Sequence, residues 1–234
     1  MRVTVLGQYG PYPAPGGACS GYLLEEGDTR VLLDCGPGAL GRLLQAVGPE
    51  RLTAVVLSHL HYDHMSDLLA MGYALEFSGR DKLPLYMPEG PEPVRALLER
   101  GPYAPRPMAD GAIGSIHFAY LPARHPVPGF SVKARGGGRT LLYTGDTNWH
   151  EGLVPFARGC SLVLADAALT QTMWKEQAPH MSAAHCARLA LEAGAEALIL
   201  THLRPDVDQA RLLAEARALC PFAVLAQAGM TLSC

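Results

Sequence analysis

The segment SHLHYDHMSD, Ser58 to Asp67, holds three of the chain's nine histidines and two aspartates within ten positions. Before it, Thr53 to Ser58 reads TAVVLS, the continuous apolar run of a strand buried on both faces. After it, Met65 to Phe77 carries apolar residues at 65, 68, 69, 71, 75 and 77, which predicts a helix. The polar cluster therefore sits where a buried strand stops. On an extended backbone, side chains two positions apart share a side, so His59 and His61 project together. Asp63 and His64 follow as the chain turns into the helix, and can serve a second position a few ångströms away. Imidazole nitrogens and carboxylate oxygens suit zinc and the harder transition ions. An isolated histidine beside a strand is ordinarily a hydrogen-bonded structural residue; four such groups in six positions are poorly explained by packing.

Working outward, the same placement recurs. Strands are expected at Arg2 to Leu6, Tyr22 to Glu25, Arg30 to Asp34, Leu83 to Met87, Ile113 to Leu121, Phe130 to Ala134, Thr140 to Thr144, Ser161 to Asp166, Ala197 to Thr201, Phe222 to Leu225 and Met230 to Leu232. Helices are expected at Ala39 to Val47, Pro91 to Glu99, Ser182 to Glu192 and Asp208 to Ala218. His125, Asp146 and His202 each lie just past one of these strands. His117 rivals His125, but it sits in mid-strand, whereas His125 stands in a loop stiffened by Pro126 and Pro128.

The 234 residues are 49% apolar, enough for a large core in one domain spanning 1–234. The mixture of strands and helices fits a layered α/β arrangement. The net charge of -3, with no basic block, argues against a long duplex or a large RNA as substrate. Six cysteines without a CxxC pair read as reduced, mostly buried thiols. With no export segment and no apolar run long enough for a membrane span, a cytoplasmic location is expected.

The HxHxDH pattern of His59, His61, Asp63 and His64 resembles the signature of the metallo-beta-lactamase fold superfamily. Leu33-Asp34-Cys35-Gly36, Thr144-Gly145-Asp146-Thr147, Pro179-His180-Met181-Ser182 and Thr201-His202-Leu203-Arg204-Pro205 fit the same pattern. Within the superfamily the set is most similar to ribonuclease Z and its small phosphodiesterase-like relatives, from Arg2 to about residue 225.

The resemblance implies an αββα four-layer sandwich and two divalent metal ions, with zinc first and manganese or iron compatible. His59, His61 and His125 would hold one ion; Asp63, His64 and His202 would hold the other; Asp146 would bridge them. A bridging hydroxide would attack, oriented by Asp63. His180 would approach the scissile phosphate, to bind the developing oxyanion or protonate the leaving group. Asp34 would brace a metal-binding loop from outside the ligand set, and Ser182 would cap a helix.

The expected activity is hydrolysis of a phosphodiester in a small nucleotide or short oligonucleotide. A lactone, thioester or other ester is the alternative. A tRNA 3'-processing role is less favoured, because no basic arm is evident and Gly10-Pro11-Tyr12-Pro13 departs from the Gly-Thr-Ser start common in ribonuclease Z. A non-hydrolytic metal-binding protein is a further alternative. Relatives imply a homodimer. The pocket rim is expected at Tyr9 to Ala14, Met65 to Tyr73 and Thr170 to Met181, with Trp174 stacking on a base, covering an acyl chain or packing in a dimer contact.

Overall fold

The computed structural model describes residues 1–234. Its first half opens with three antiparallel strands, β1 (Arg2–Gly7), β2 (Gly21–Glu26) and β3 (Thr29–Cys35). The sheet continues in parallel through β4 (Ala54–Val56), β5 (Leu83–Tyr86) and β6 (Tyr103–Arg106). The second half repeats the pattern. Antiparallel β7 (Gly111–Ile113), β8 (Ile116–Pro122), β9 (Phe130–Gly136) and β10 (Arg139–Tyr143) lead into parallel β11 (Leu162–Asp166), β12 (Ala197–Thr201) and β13 (Ala223–Leu225). The final strand, β14 (Thr231–Ser233), crosses back to pair with β1, giving two seven-stranded sheets.

Neighbouring residues of one strand enter different apolar layers. Tyr22, Leu24, Val31 and Leu33 face the space between the sheets, while Leu23 and Leu32 face outward under helices. Burial on both faces explains the near-continuous apolar runs. The outer layer of the first sheet lies under α1 (Ala39–Ala46), α3 (Asp67–Ser78) and α4 (Glu92–Glu99). That of the second lies under α5 (Leu153–Ala157), α6 (Ala183–Ala193) and α7 (Gln209–Leu219). The result is the expected αββα sandwich. No helix is long and apolar enough to cross a membrane.

Local differences from the sequence reading have identifiable causes. The predicted 65–77 helix begins earlier and breaks at Ser66, as α2 (Tyr62–Met65) followed by α3. The predicted 113–121 strand is a hairpin, because Gly114 adopts φ +58 and turns β7 into β8. Strand β6 hides its pattern behind Pro105, and the short helix α5 contains Pro155. All six cysteines are buried and free, as expected.

Candidate metal centre

The loop after β4 carries His59 and His61 on one side. Its position is pinned where Phe130 N donates to Ser58 O at 2.9 Å. The ring centroids of His59, His61 and His125 lie 4.8, 4.8 and 4.9 Å apart, so the loop after β8 delivers His125 to the same point. His117, by contrast, is exposed on β8 opposite Arg135.

Asp63 and His64 sit in the first turn of α2. The His64 Nε2 lies 3.4 Å from Asp63 Oδ2 and 3.3 Å from Asp146 Oδ1. His202, after β12, brings Nδ1 within 3.1 Å of the same Asp146 oxygen. The other Asp146 oxygen is 3.6 Å from His59 Nε2. Three donor groups thus share Asp146: His59, His61 and His125 on one side, Asp63, His64 and His202 on the other, and Asp166 and His180 with His202. In each, one ligand atom per residue lies within 4.8 Å of the rest.

Buried polar atoms normally find partners. Nine buried side-chain atoms have none; six of them, His59 Nε2, Asp63 Oδ2, His64 Nε2, His125 Nδ1, Asp146 Oδ1 and His202 Nε2, belong to this set, and Gln8 Oε1, Tyr120 Oη and His150 Nε2 lie outside it. A cation is the partner such a donor set fits.

The electrostatics agree. Burial alone would lower the His64 pKa, but the carboxylates of Asp146, Asp63 and Asp34 reverse this and hold it well above the ordinary value. Burial would raise Asp146, yet His202, His64 and His59 hold it well below the carboxylate range. His59 is pushed well down by burial, with the neighbouring His64 adding to the effect. A site that draws a proton onto one buried imidazole through three carboxylates attracts a metal cation in its place.

Supports outside the cluster fix its geometry. Asp34, wholly buried at the end of β3, accepts from Ser58 N, Ser58 Oγ, His64 Nδ1 and Tyr143 Oη, each at 2.7 Å. The bond to Nδ1 leaves His64 Nε2 to face the centre. Asp34 and His202 are the two non-glycine residues with positive φ, both at 54°. Such conformations persist where surroundings enforce them. Gly10 shows one enforcement: a Cβ there would stand 2.0 Å from His202 Cε1. Asp67 Oδ2 accepts from Leu40 N at 2.9 Å, so it ties α3 to α1.

His180 stands beside the cluster, its ring stacked 5.0 Å from His202. Its Nδ1 meets Asp166 Oδ2 at 2.8 Å. Burial would lower its pKa, but Asp166 and Asp146 push it up to about 9. Asp166 was not singled out in the sequence, although it ends the buried strand β11 as a carboxylate at a strand exit. Ser182 caps α6 through His185 N, and the His185 ring lies 4.5 Å from Trp174. His150 lies outside the donor groups.

A cavity of about 560 Å³ opens at His180, walled by Tyr12, Met173, Pro179, Lys175 and Arg204. The rim therefore comes from the first loop and the Thr170–Met181 stretch, as expected. Met65 to Tyr73 does not contribute. Met65, Leu68 and Met71 are core, and Tyr73 opens on a separate groove with Leu97. Trp174 donates to Asn148 Oδ1 at 2.8 Å and packs on His185, so it braces the loop from within.

A sandwich of two mixed sheets with histidine and aspartate donors at its strand exits is the metallo-beta-lactamase arrangement, and the chain belongs to that superfamily. The family model described as a beta-lactamase superfamily domain matches residues 29–203. The chain is 34% identical over 215 residues to the probable metallo-hydrolase YhfI of Bacillus subtilis, covering 87% of each. The crystal structure of YhfI superposes with a TM-score of 0.93 at 31% identity, over 99% of both chains. The short form of human tRNase Z has the same fold, with a TM-score of 0.82 at 20% identity over 100% of this chain and 99% of that one. So has a diphosphatase of the PhnP family, with a TM-score of 0.74 at 20% identity over 99% and 97%. The site arrangement is that of metal-dependent hydrolases of this fold.

Proposed function

We propose that the chain is a dinuclear, zinc-dependent phosphodiesterase acting on a small nucleotide or short oligonucleotide. The observation that carries this reading is that Asp146 belongs both to the group of His59, His61 and His125 and to that of Asp63, His64 and His202. Two divalent ions, held by His59, His61, His125 and by Asp63, His64, His202 with Asp146 common to both, would supply an activated water and neutralise phosphate charge. Manganese or iron would fit the same nitrogen and oxygen donors.

The protein's own groups do the rest. Asp34 fixes the His64 tautomer. Asp63, whose unpartnered Oδ2 would serve the metal, is also a catalytic residue: its second carboxylate oxygen would accept from the attacking water and orient it. His180, held at Nδ1 by Asp166, lines the cavity. There it would bind the developing oxyanion or give its proton to the departing alkoxide. Two proteins of the same fold act, by name, at phosphorus: a tRNase Z and a diphosphatase. That supports the phosphodiester. The apolar cavity wall of Leu169, Met173 and Pro179 favours, as a second reading, an ester, lactone or thioester with an apolar acyl group.

A homodimer is supported by one face of α2 and α3, where Tyr62, Leu69, Tyr73 and Phe77 are 71, 45, 66 and 90% exposed. A cytoplasmic location is supported by the six unpaired thiols.

The test is a turnover panel with zinc- and manganese-loaded protein on bis-p-nitrophenyl phosphate, a dinucleotide, a lactone and a thioester. Phosphodiester turnover that disappears in Asp63→Ala and Asp146→Ala is expected. Lactone or thioester turnover far above the phosphodiester rate refutes the reading.

A further inference from the structure

The cavity beside His180 has a one-sided charge. Its ten lining residues include Lys175 and Arg204 but no aspartate or glutamate, in a chain with 22 acidic and 19 basic residues. Lys175 has no carboxylate within ion-pair distance. Arg204 is paired with Asp206 through Nε at 3.0 Å and Nη2 at 2.6 Å, which fixes its guanidinium plane and offsets part of its charge, so Lys175 is the unpaired cation of the two.

The backbone carrying Lys175 is also fixed. Asn148, fully buried two residues after Asp146, donates to Glu176 O at 2.9 Å and accepts from Trp174 Nε1 at 2.8 Å. Arg124 donates to Glu176 O at 3.0 Å. An unpaired cation on a pinned loop, lining a cavity whose walls include Tyr12, Leu169, Met173 and Pro179, is built to receive an anion beyond an apolar or aromatic group.

We propose that this cavity takes the next nucleoside of the substrate, with Lys175 and Arg204 binding a second phosphate one nucleoside away from the scissile bond. The inference rests on the phosphodiesterase reading and narrows it. The substrate class is an oligonucleotide or dinucleotide with a terminal phosphate, rather than one ending in a free hydroxyl. Tyr12 and Met173 flank the nucleoside; Lys175 and Arg204 are specificity-determining residues.

The test compares zinc-loaded enzyme on thymidylyl-thymidine with and without a terminal phosphate. The phosphorylated form should show a KM about tenfold lower, the scale of one charge-assisted contact. Lys175→Gln and Arg204→Gln should bring the KM ratio towards one, Lys175→Arg should retain it, and Lys82→Gln, elsewhere on the surface, should leave it unchanged. Calorimetric binding of thymidine 3',5'-bisphosphate against thymidine 5'-monophosphate gives the same comparison without turnover. Equal KM and equal binding for the two members of each pair overturn the inference. So does a preference that survives both Lys175→Gln and Arg204→Gln. Turnover of bis-p-nitrophenyl phosphate separates the cases: if present with no terminal-phosphate preference, only the subsite fails. If no phosphodiester is hydrolysed, the broader reading fails and the subsite falls with it.

Discussion

Replacing Asp34 by asparagine exchanges a single oxygen for nitrogen, and the bonds that oxygen accepts decide the outcome. Asp34 Oδ2 accepts from three donors, Ser58 Oγ, His64 Nδ1 and Tyr143 Oη, while Oδ1 accepts from Ser58 N. An asparagine keeps the Oδ1 bond but turns Oδ2 into an NH2 donor. The two hydroxyls can rotate to accept. The imidazole can accept only by moving its proton from Nδ1 to Nε2. That places N–H at the atom facing Asp63 and Asp146, where a metal would bind. Metal affinity should fall about 10- to 100-fold, roughly 1.4–2.8 kcal/mol. Fold stability should fall by about 1–3 kcal/mol, because charge-assisted bonds become neutral ones. Zinc competition against a chromophoric chelator reads the first number, and urea unfolding of metal-free protein the second. A variant that unfolds like the wild type and binds zinc equally well would show that Asp34 does not set the His64 tautomer.

Gly10→Ala drives a methyl group into the His202 ring and should weaken zinc binding with little change in secondary structure, as measured by zinc titration and far-UV circular dichroism. In metal-free protein the His180 pKa of about 9 lies above its ordinary 6.5, so its contribution is fully present below pH 6.5 and is lost as pH rises through 9. Asp166→Asn should remove up to about 3 kcal/mol of that pH-dependent stability, seen as a flatter stability profile in chelator-containing urea titrations. The exposed apolar face of α2 and α3 predicts self-association. The rings of Tyr62, Tyr73 and Phe77 would bury roughly 900 Å² across two copies. Leu69 and Leu97 take the sum towards the roughly 1,200 Å² at which specific interfaces begin. Glu76 and Arg100 line the same groove without ion pairs, as a two-fold contact between opposite charges requires. Phe77→Glu should give a monomer by sedimentation; Glu76→Arg should weaken the dimer, and Glu76→Arg with Arg100→Glu should restore it.

Much of this was legible in the sequence because donors at strand exits carry their own signal. His59 and His61 sit two apart on an extended segment, and the loop prolines after His125 distinguish it from the mid-strand His117. Asp34, by contrast, was named only through the family resemblance. Asp166 was not visible, because a carboxylate closing an apolar run looks like a strand terminus until the fold sets it against His180. The helix over 62–78 hid its break at Ser66, since apolar residues surround α3 on nearly every side and leave no periodicity to interrupt. Strand β6 escaped because Pro105 speaks against a strand, although a sheet-edge position tolerates it. The cavity at His180 needed contacts between segments more than a hundred residues apart, such as Tyr12 with Arg204.

The mirrored sheets have a consequence for ancestry. Each half runs through antiparallel strands into three parallel partners, yet the donors are divided: His59, His61, Asp63 and His64 come from the first half, and His125, Asp146 and His202 from the second. Neither half alone holds all the residues of either of the two groups that these donors form around Asp146. A half-length forebear of this chain would have needed a second copy of itself to assemble any such centre, and fusion of the two would have freed each to specialise its contribution.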